Sequence, residues 1–114
     1  VSLLSEIHDI LRPVGIPVET GVFSDKAPDE YIVVVPLTEN YDYFADNQPV
    51  VDIHEARISI FTKGNYLSIK NAVVKAFLVA EFTVTNRQYI GYEADTGYHH
   101  YIVDVANYYE TEDI

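Results

Sequence analysis

VVDIHEARISIFTKG, residues 50–64, changes character at every step: His54, Ala56, Ile58 and Ile60 fall on one side, Glu55, Arg57 and Ser59 on the other. Successive side chains of an extended chain point to opposite faces, so this alternation predicts a strand with one buried face. Gly64 and Asn65 end it. Beyond them the period changes: Tyr66, Ile69, Val73, Phe77 and Ala80 form one helical stripe, with Asn65 or Ser68 placed to cap it. A strand with one dry face next to a helix with one apolar stripe points to helices packed on a sheet.

The flanking segments extend the pattern. Leu3, Leu4, Ile7, Ile10 and Leu11 keep helical spacing, Ser2 can cap that helix, and Pro13 stops it. At this length the helix needs tertiary burial to be stable. IPVETGVF (16–23) reads as a short extended piece and SDKAPDE (24–30) as a loop. YIVVVPL (31–37) is the strongest strand signal, a β-branched run expected to be buried on both faces, with Pro36 limiting pairing near its end. ENYDYFADNQP (39–49) is acidic and reads as a loop carrying Tyr41, Tyr43 and Phe44. Two further strands, about 82–92 and 98–109, are joined by EADTG (93–97), where Gly97 can adopt positive φ. The expectation is a single α+β domain over residues 1–114: two helices packed on a mainly antiparallel sheet of about five strands, in the order α-β-β-β-α-β-β.

The chain has 114 residues, enough for one core that removes roughly 65% of the unfolded surface from water. It has no cysteine, which fits an intracellular protein, and its N-terminus lacks the basic and apolar regions of a secretion signal. No apolar run approaches the roughly 20 residues of a membrane span. Eighteen acidic residues against seven basic ones leave a net charge of −11. Proteins grip nucleic acid by replacing phosphate counterions with Lys and Arg, so tight nucleic-acid binding is not expected, nor is docking on an anionic membrane. Such a surface favours a partner with a basic face and repels polyanions.

Chemistry is harder to find. In GYEADTGYHHYIVDVANYYE (91–110) the paired histidines stand on a strand, so His99, Tyr101, Val103 and Val105 point one way and His100, Ile102, Asp104 and Ala106 the other. Adjacent strand residues do not easily ligate one ion. His100 with Asp104, or His99 with Asp95, could start a site, but zinc wants three or four ligands and the sequence offers no spaced set. Asp52, His54 and Glu55 share the defect. There is no nucleophile elbow, phosphate loop, dinucleotide fingerprint or Cys nucleophile, so no catalytic, cofactor or metal residue is expected. Ten Tyr and five Phe are a heavy aromatic load, concentrated at 41–44, 89–92, 98–101 and 108–109. On the last strand these suit cross-strand pairing. In the 41–44 segment, Tyr41, Tyr43 and Phe44 are the candidate subunit-interface residues, because aromatic rings with polar tips are enriched where proteins meet. The alternative is that they fold back over their own core.

These phrases together resemble a family. An amphipathic helix running into a proline turn (LLSEIHDILRPVGIPVETGVF), the strand YIVVVPL, the strand-to-helix passage YFADNQPVVDIHEARISIFTKGNYLSIKNAVVKAF and the close GYEADTGYHHYIVDVANYY are similar in layout to the small tail-completion or tail-terminator proteins of long-tailed bacteriophages and Gram-positive prophages. The resemblance covers nearly the whole chain and rests on layout. It implies a non-enzymatic virion protein without cofactors, assembled in the host bacterial cytoplasm. Such proteins form a ring, typically a hexamer, that caps the tail tube and joins it to the head, with the tail-tube protein and a head-completion or connector protein as partners. The rival readings are a head-side connector or head-completion protein, an acidic immunity-type binding module, and a small metal-dependent enzyme built around His99 or His100.

Overall fold

The computed structural model describes residues 2–21, 27–45 and 48–110, with the side chains of 41–45 and 48–50 outside that description. It has two helices, α1 (Leu3–Leu11) and α2 (Tyr66–Val79), a 3-10 turn at Arg12–Val14, and five strands: β1 (Val18–Thr20), β2 (Glu30–Ala45), β3 (Gln48–Thr62), β4 (Thr83–Glu93) and β5 (Tyr98–Glu110). The α+β class and the expected element order hold. One sheet runs β1-β2-β3-β5-β4, antiparallel throughout except for the short parallel pairing of β1 with β2.

Both helices start as their sequences suggest. The Ser2 hydroxyl accepts from the Ser5 amide, and Asn65 Oδ1 accepts from the amides of Leu67 and Ser68. These caps satisfy first-turn donors that have no partner within the helix. α2 ends in a paired motif: the Glu81 amide donates to Leu78 O and the Phe82 amide to Phe77 O, with the Phe77 and Phe82 rings 5.4 Å apart. That geometry requires a left-handed residue after the helix, and here it is Glu81, at φ 64°. Ala80 is therefore the exposed cap rather than part of the buried stripe, which ends at Phe77.

The core is the sheet face that both helices cover. Ile32 and Val34 of β2, Ala56, Ile58 and Ile60 of β3, and Val103 and Val105 of β5 meet Leu3, Ile7 and Leu11 of α1 and Ile69, Val73 and Phe77 of α2. Each large side chain buried there contributes about 1.5–3 kcal/mol of transfer free energy.

The opposite face is drier than the alternation predicted. Val33, Ser59, Ile102, Asp104 and Ala106 are all buried there. The Arg57 guanidinium lies across the strands and grips Asp104 with two bonds, Nε to Oδ1 at 2.9 Å and Nη2 to Oδ2 at 3.1 Å. Glu55 accepts from the Thr38 hydroxyl at 3.5 Å and from the Thr85 hydroxyl at 2.7 Å, bridging strands on both sides.

Two expectations about β2 are corrected. Pairing is disturbed at Pro36 by a register shift between Pro36 and Thr38, but the strand does not stop at Leu37, because pairing with β3 resumes beyond the shift. The acidic segment expected as a loop is also strand as far as Ala45, with Tyr41 opposite Asp52 and Tyr43 opposite Val51. The long partner strand β3 supplies ladder hydrogen bonds that outweigh the low strand propensity of Asp and Asn.

Two stability measurements test this account. Arg57→Leu strands a buried carboxylate and is expected to cost about 2 kcal/mol, below the usual cost of breaking a buried pair because Arg57 is half exposed. Adding Asp104→Leu should recover most of that loss in urea unfolding. Glu81→Gly relieves the left-handed side chain and is expected to stabilise by about 0.5–1 kcal/mol, read from the same urea midpoints.

Candidate interaction surface

β5 carries the paired histidines into different surroundings. His99 sits on the helix side among Tyr66, Tyr89 and Tyr92, and the Tyr89 hydroxyl and His99 Nδ1 are hydrogen-bonded at 2.9 Å. His100 lies on the far side, stacked on Phe61 with ring centres 4.2 Å apart, and its buried Nε2 has no hydrogen-bond partner among the described residues. Burial pulls the His100 pKa below the ordinary imidazole value; Arg57 pulls the same way and Glu93 opposes. Asp104, on the same face, is held by Arg57. Among the described residues no three His, Asp or Glu side chains come together as a metal site.

A second polar group lies where α1 meets the far ends of β3 and β5. His54 and Asp52 are both buried and paired at 3.3 Å, and the His54 ring lies 5.0 Å from that of Tyr109. Burial drives the Tyr109 phenol well above its usual pKa, and Glu6 adds to the effect. A cleft of about 1060 Å³ opens beside this group between the start of α1 and the β2–β3 pair, lined by Leu3, Leu4, Leu37, Thr38, Glu39 and His54 among others. The His54 imidazole on its wall is thus already engaged by the buried Asp52 side chain.

The feature that stands apart is the β4 edge. Among the described residues β4 has β5 as its single strand neighbour, and nearly every residue along it is exposed. Tyr89, Ile90 and Tyr92 are 39%, 48% and 57% exposed, and Leu67 in the first turn of α2 is 50% exposed. Tyr66 joins the helix to this edge, its ring 4.9 Å from Tyr89 and 6.0 Å from Tyr101, and Lys70 sits over Tyr101. An open strand edge with aromatic side chains offers backbone hydrogen bonds and apolar contact together, which is what a protein partner uses. The aromatic cluster at 89–92 was visible in the sequence; its position on an outer edge was not. Tyr41, Tyr43 and Phe44 lie on the distal stretch of β2, and their side chains lie outside the described residues.

The His100 environment makes a pH prediction. An imidazole whose pKa falls on folding binds its proton more weakly in the fold than in the unfolded chain. Its contribution is complete above the ordinary His range and drains away as the pH falls through about 6.5. His100→Phe keeps the stack on Phe61 and removes the titration. Thermal melts from about pH 8 down to about pH 5 should show the wild type losing stability relative to the variant. Parallel curves would contradict the assignment.

No family model and no curated protein matches this chain. What it does must be read from its own surfaces.

Proposed function

We propose that the chain is a structural subunit of a long-tailed phage or prophage virion, one that caps the tail tube as a ring, typically a hexamer, and forms the head-tail joining surface. The observation that carries this reading is that the sheet ends in two unlike open edges. On one side is β4; on the other, β1 covers β2 from Ile32 to Val34, and the rest of its outer edge has no neighbour among the described residues. A closed ring needs two different, mutually complementary patches on each subunit. The resemblance in layout supplies the identity of the assembly, and the net charge of −11 suits a channel through which DNA passes without adhering. On this reading the protein works by contact and not by catalysis. Its partners are the tail-tube protein and a head-completion or connector protein, and it belongs to the virion after assembly in the host cytoplasm. Tyr41, Tyr43 and Phe44, on the outer stretch of β2, belong to the subunit contact.

One observation favours a second reading. Residues 27–56 contain no Lys or Arg, nor do residues 88–110, so the end of the sheet bearing Glu39, Asp52, Glu55 and Glu110 is acidic. A monomeric module that neutralises a cationic protein would have such an end.

The test is co-expression with the tail-tube protein that this reading expects among the neighbouring genes. Electron microscopy should show tubes closed at one end by a ring, and tubes that grow open in its absence. Tyr43→Ser with Phe44→Ser should abolish the cap while leaving the melting temperature nearly unchanged. Uncapped tubes with wild-type protein, or neighbouring genes that encode no tail-tube protein, would end the proposal.

A further inference from the structure

We infer that a second copy of this chain docks edge to edge, the outer edge of its β2 pairing antiparallel with β4 of the first copy and its Glu39 standing opposite Arg87. The inference rests on the ring reading above and names the contact that would build the ring.

Strand direction permits the pairing. Across the sheet β2, β3, β5 and β4 alternate, so β4 runs opposite to β2. A neighbour in the same orientation therefore brings its β2 antiparallel to β4, the more stable arrangement. The lengths match as well: β4 spans 11 residues, and β2 from residue 36 to Ala45 has no outer neighbour among the described residues. Register shifts bracket a regular run of four on each edge, residues 38–41 on β2 and 86–89 on β4.

Charge and facing select the register. Glu39 lies opposite His54 and Arg87 opposite Val103, and both of those partners are on the helix-covered face. Directly opposed residues in a ladder share a face, so Glu39 and Arg87 can meet across the junction. Both are exposed, and neither has an ion-pair partner among the described residues. The same register sets Thr38 opposite Gln88 and brings the exposed Leu37 beside Tyr89. A symmetric contact between two β4 edges lacks this match. The shift between Tyr89 and Gly91 puts Glu93, opposite Tyr98, on the other face from Arg87. An exposed ion pair adds little affinity. Here it sets partner and register, while backbone hydrogen bonds and aromatic contact hold the copies together.

The chain has no cysteine, so engineered thiols report contacts directly. Thr38→Cys and Gln88→Cys, each made separately and then mixed in a redox buffer, are expected to give a covalent 38–88 dimer that neither protein gives alone. Sedimentation should show Arg87→Glu and Glu39→Arg each weakening self-association about fivefold, with the double exchange in one chain restoring it. All four positions are exposed, and circular dichroism with thermal melts checks that the variants fold. An 88–88 disulfide from Gln88→Cys alone, no disulfide in the mixture, or a double exchange that fails to restore association would overturn the inference. Tubes capped without the 38–88 link would sink the edge pairing and leave the ring. The link without capping would do the reverse.

Discussion

The pleat of the central β3–β5 pair governs most of what this molecule is. Ala56, Ile58 and Ile60 stand opposite Val105, Val103 and Tyr101, and with this pair in register every neighbouring side chain has its face assigned. A slip of β5 by one residue would turn its valines away from Val73 and Phe77 and bring Asp104 under the helices, with Arg57 left on the other face. The cost of burying that carboxylate without its guanidinium makes the register strongly specified. The two helices read which face is apolar and cover it.

The same alternation shows how much could be read from the letters alone. Residues 54–60 and 99–106 revealed their two faces because β-branched and polar residues take turns there, and the split of His99 from His100 followed at once. Both helix starts were legible, with Ser2 before one apolar stripe and Asn65 or Ser68 before the other; the structure selects Asn65. The run of β2 beyond Pro36 was not. Its composition is that of a loop, and what makes it strand is the length of its partner, a non-local fact. Sheet order was equally hidden: no local pattern says that β5 lies between β3 and β4, so the sequence showed aromatic residues at 89–92 without showing that they line an edge. The dryness of the second face also had to come from three dimensions, because the burial of Ser59 depends on its place between Val33 and Ile102 of the neighbouring strands.

Open strand edges are usually guarded against indiscriminate pairing. This sheet guards its edges only in part. Bulges interrupt both β2 and β4, which limits how long a regular ladder can run before its geometry fails. Between the bulges there is no proline, and the regular run of β4 has one charge, Arg87, beside Asn86, Gln88 and Tyr89. Such an edge rejects long amyloid-like stacking yet accepts a short, charge-matched strand. In the ring proposed above, selectivity of that kind would limit each edge to one partner.

The position of β5 also bears on how the protein is made. β4 precedes it in the chain, yet β5 fills the gap between β3 and β4. While the polypeptide leaves the ribosome, β3 exposes a bare apolar margin and β4 has nothing to pair with until β5 has emerged. The hairpin of β2 and β3 can form early, but the apolar centre cannot close around Val103 and Val105 before that moment. Translation therefore carries an interval in which an incomplete sheet is open to capture by chaperones or by neighbouring nascent chains, and the speed of synthesis through residues 83–105 sets how long that interval lasts.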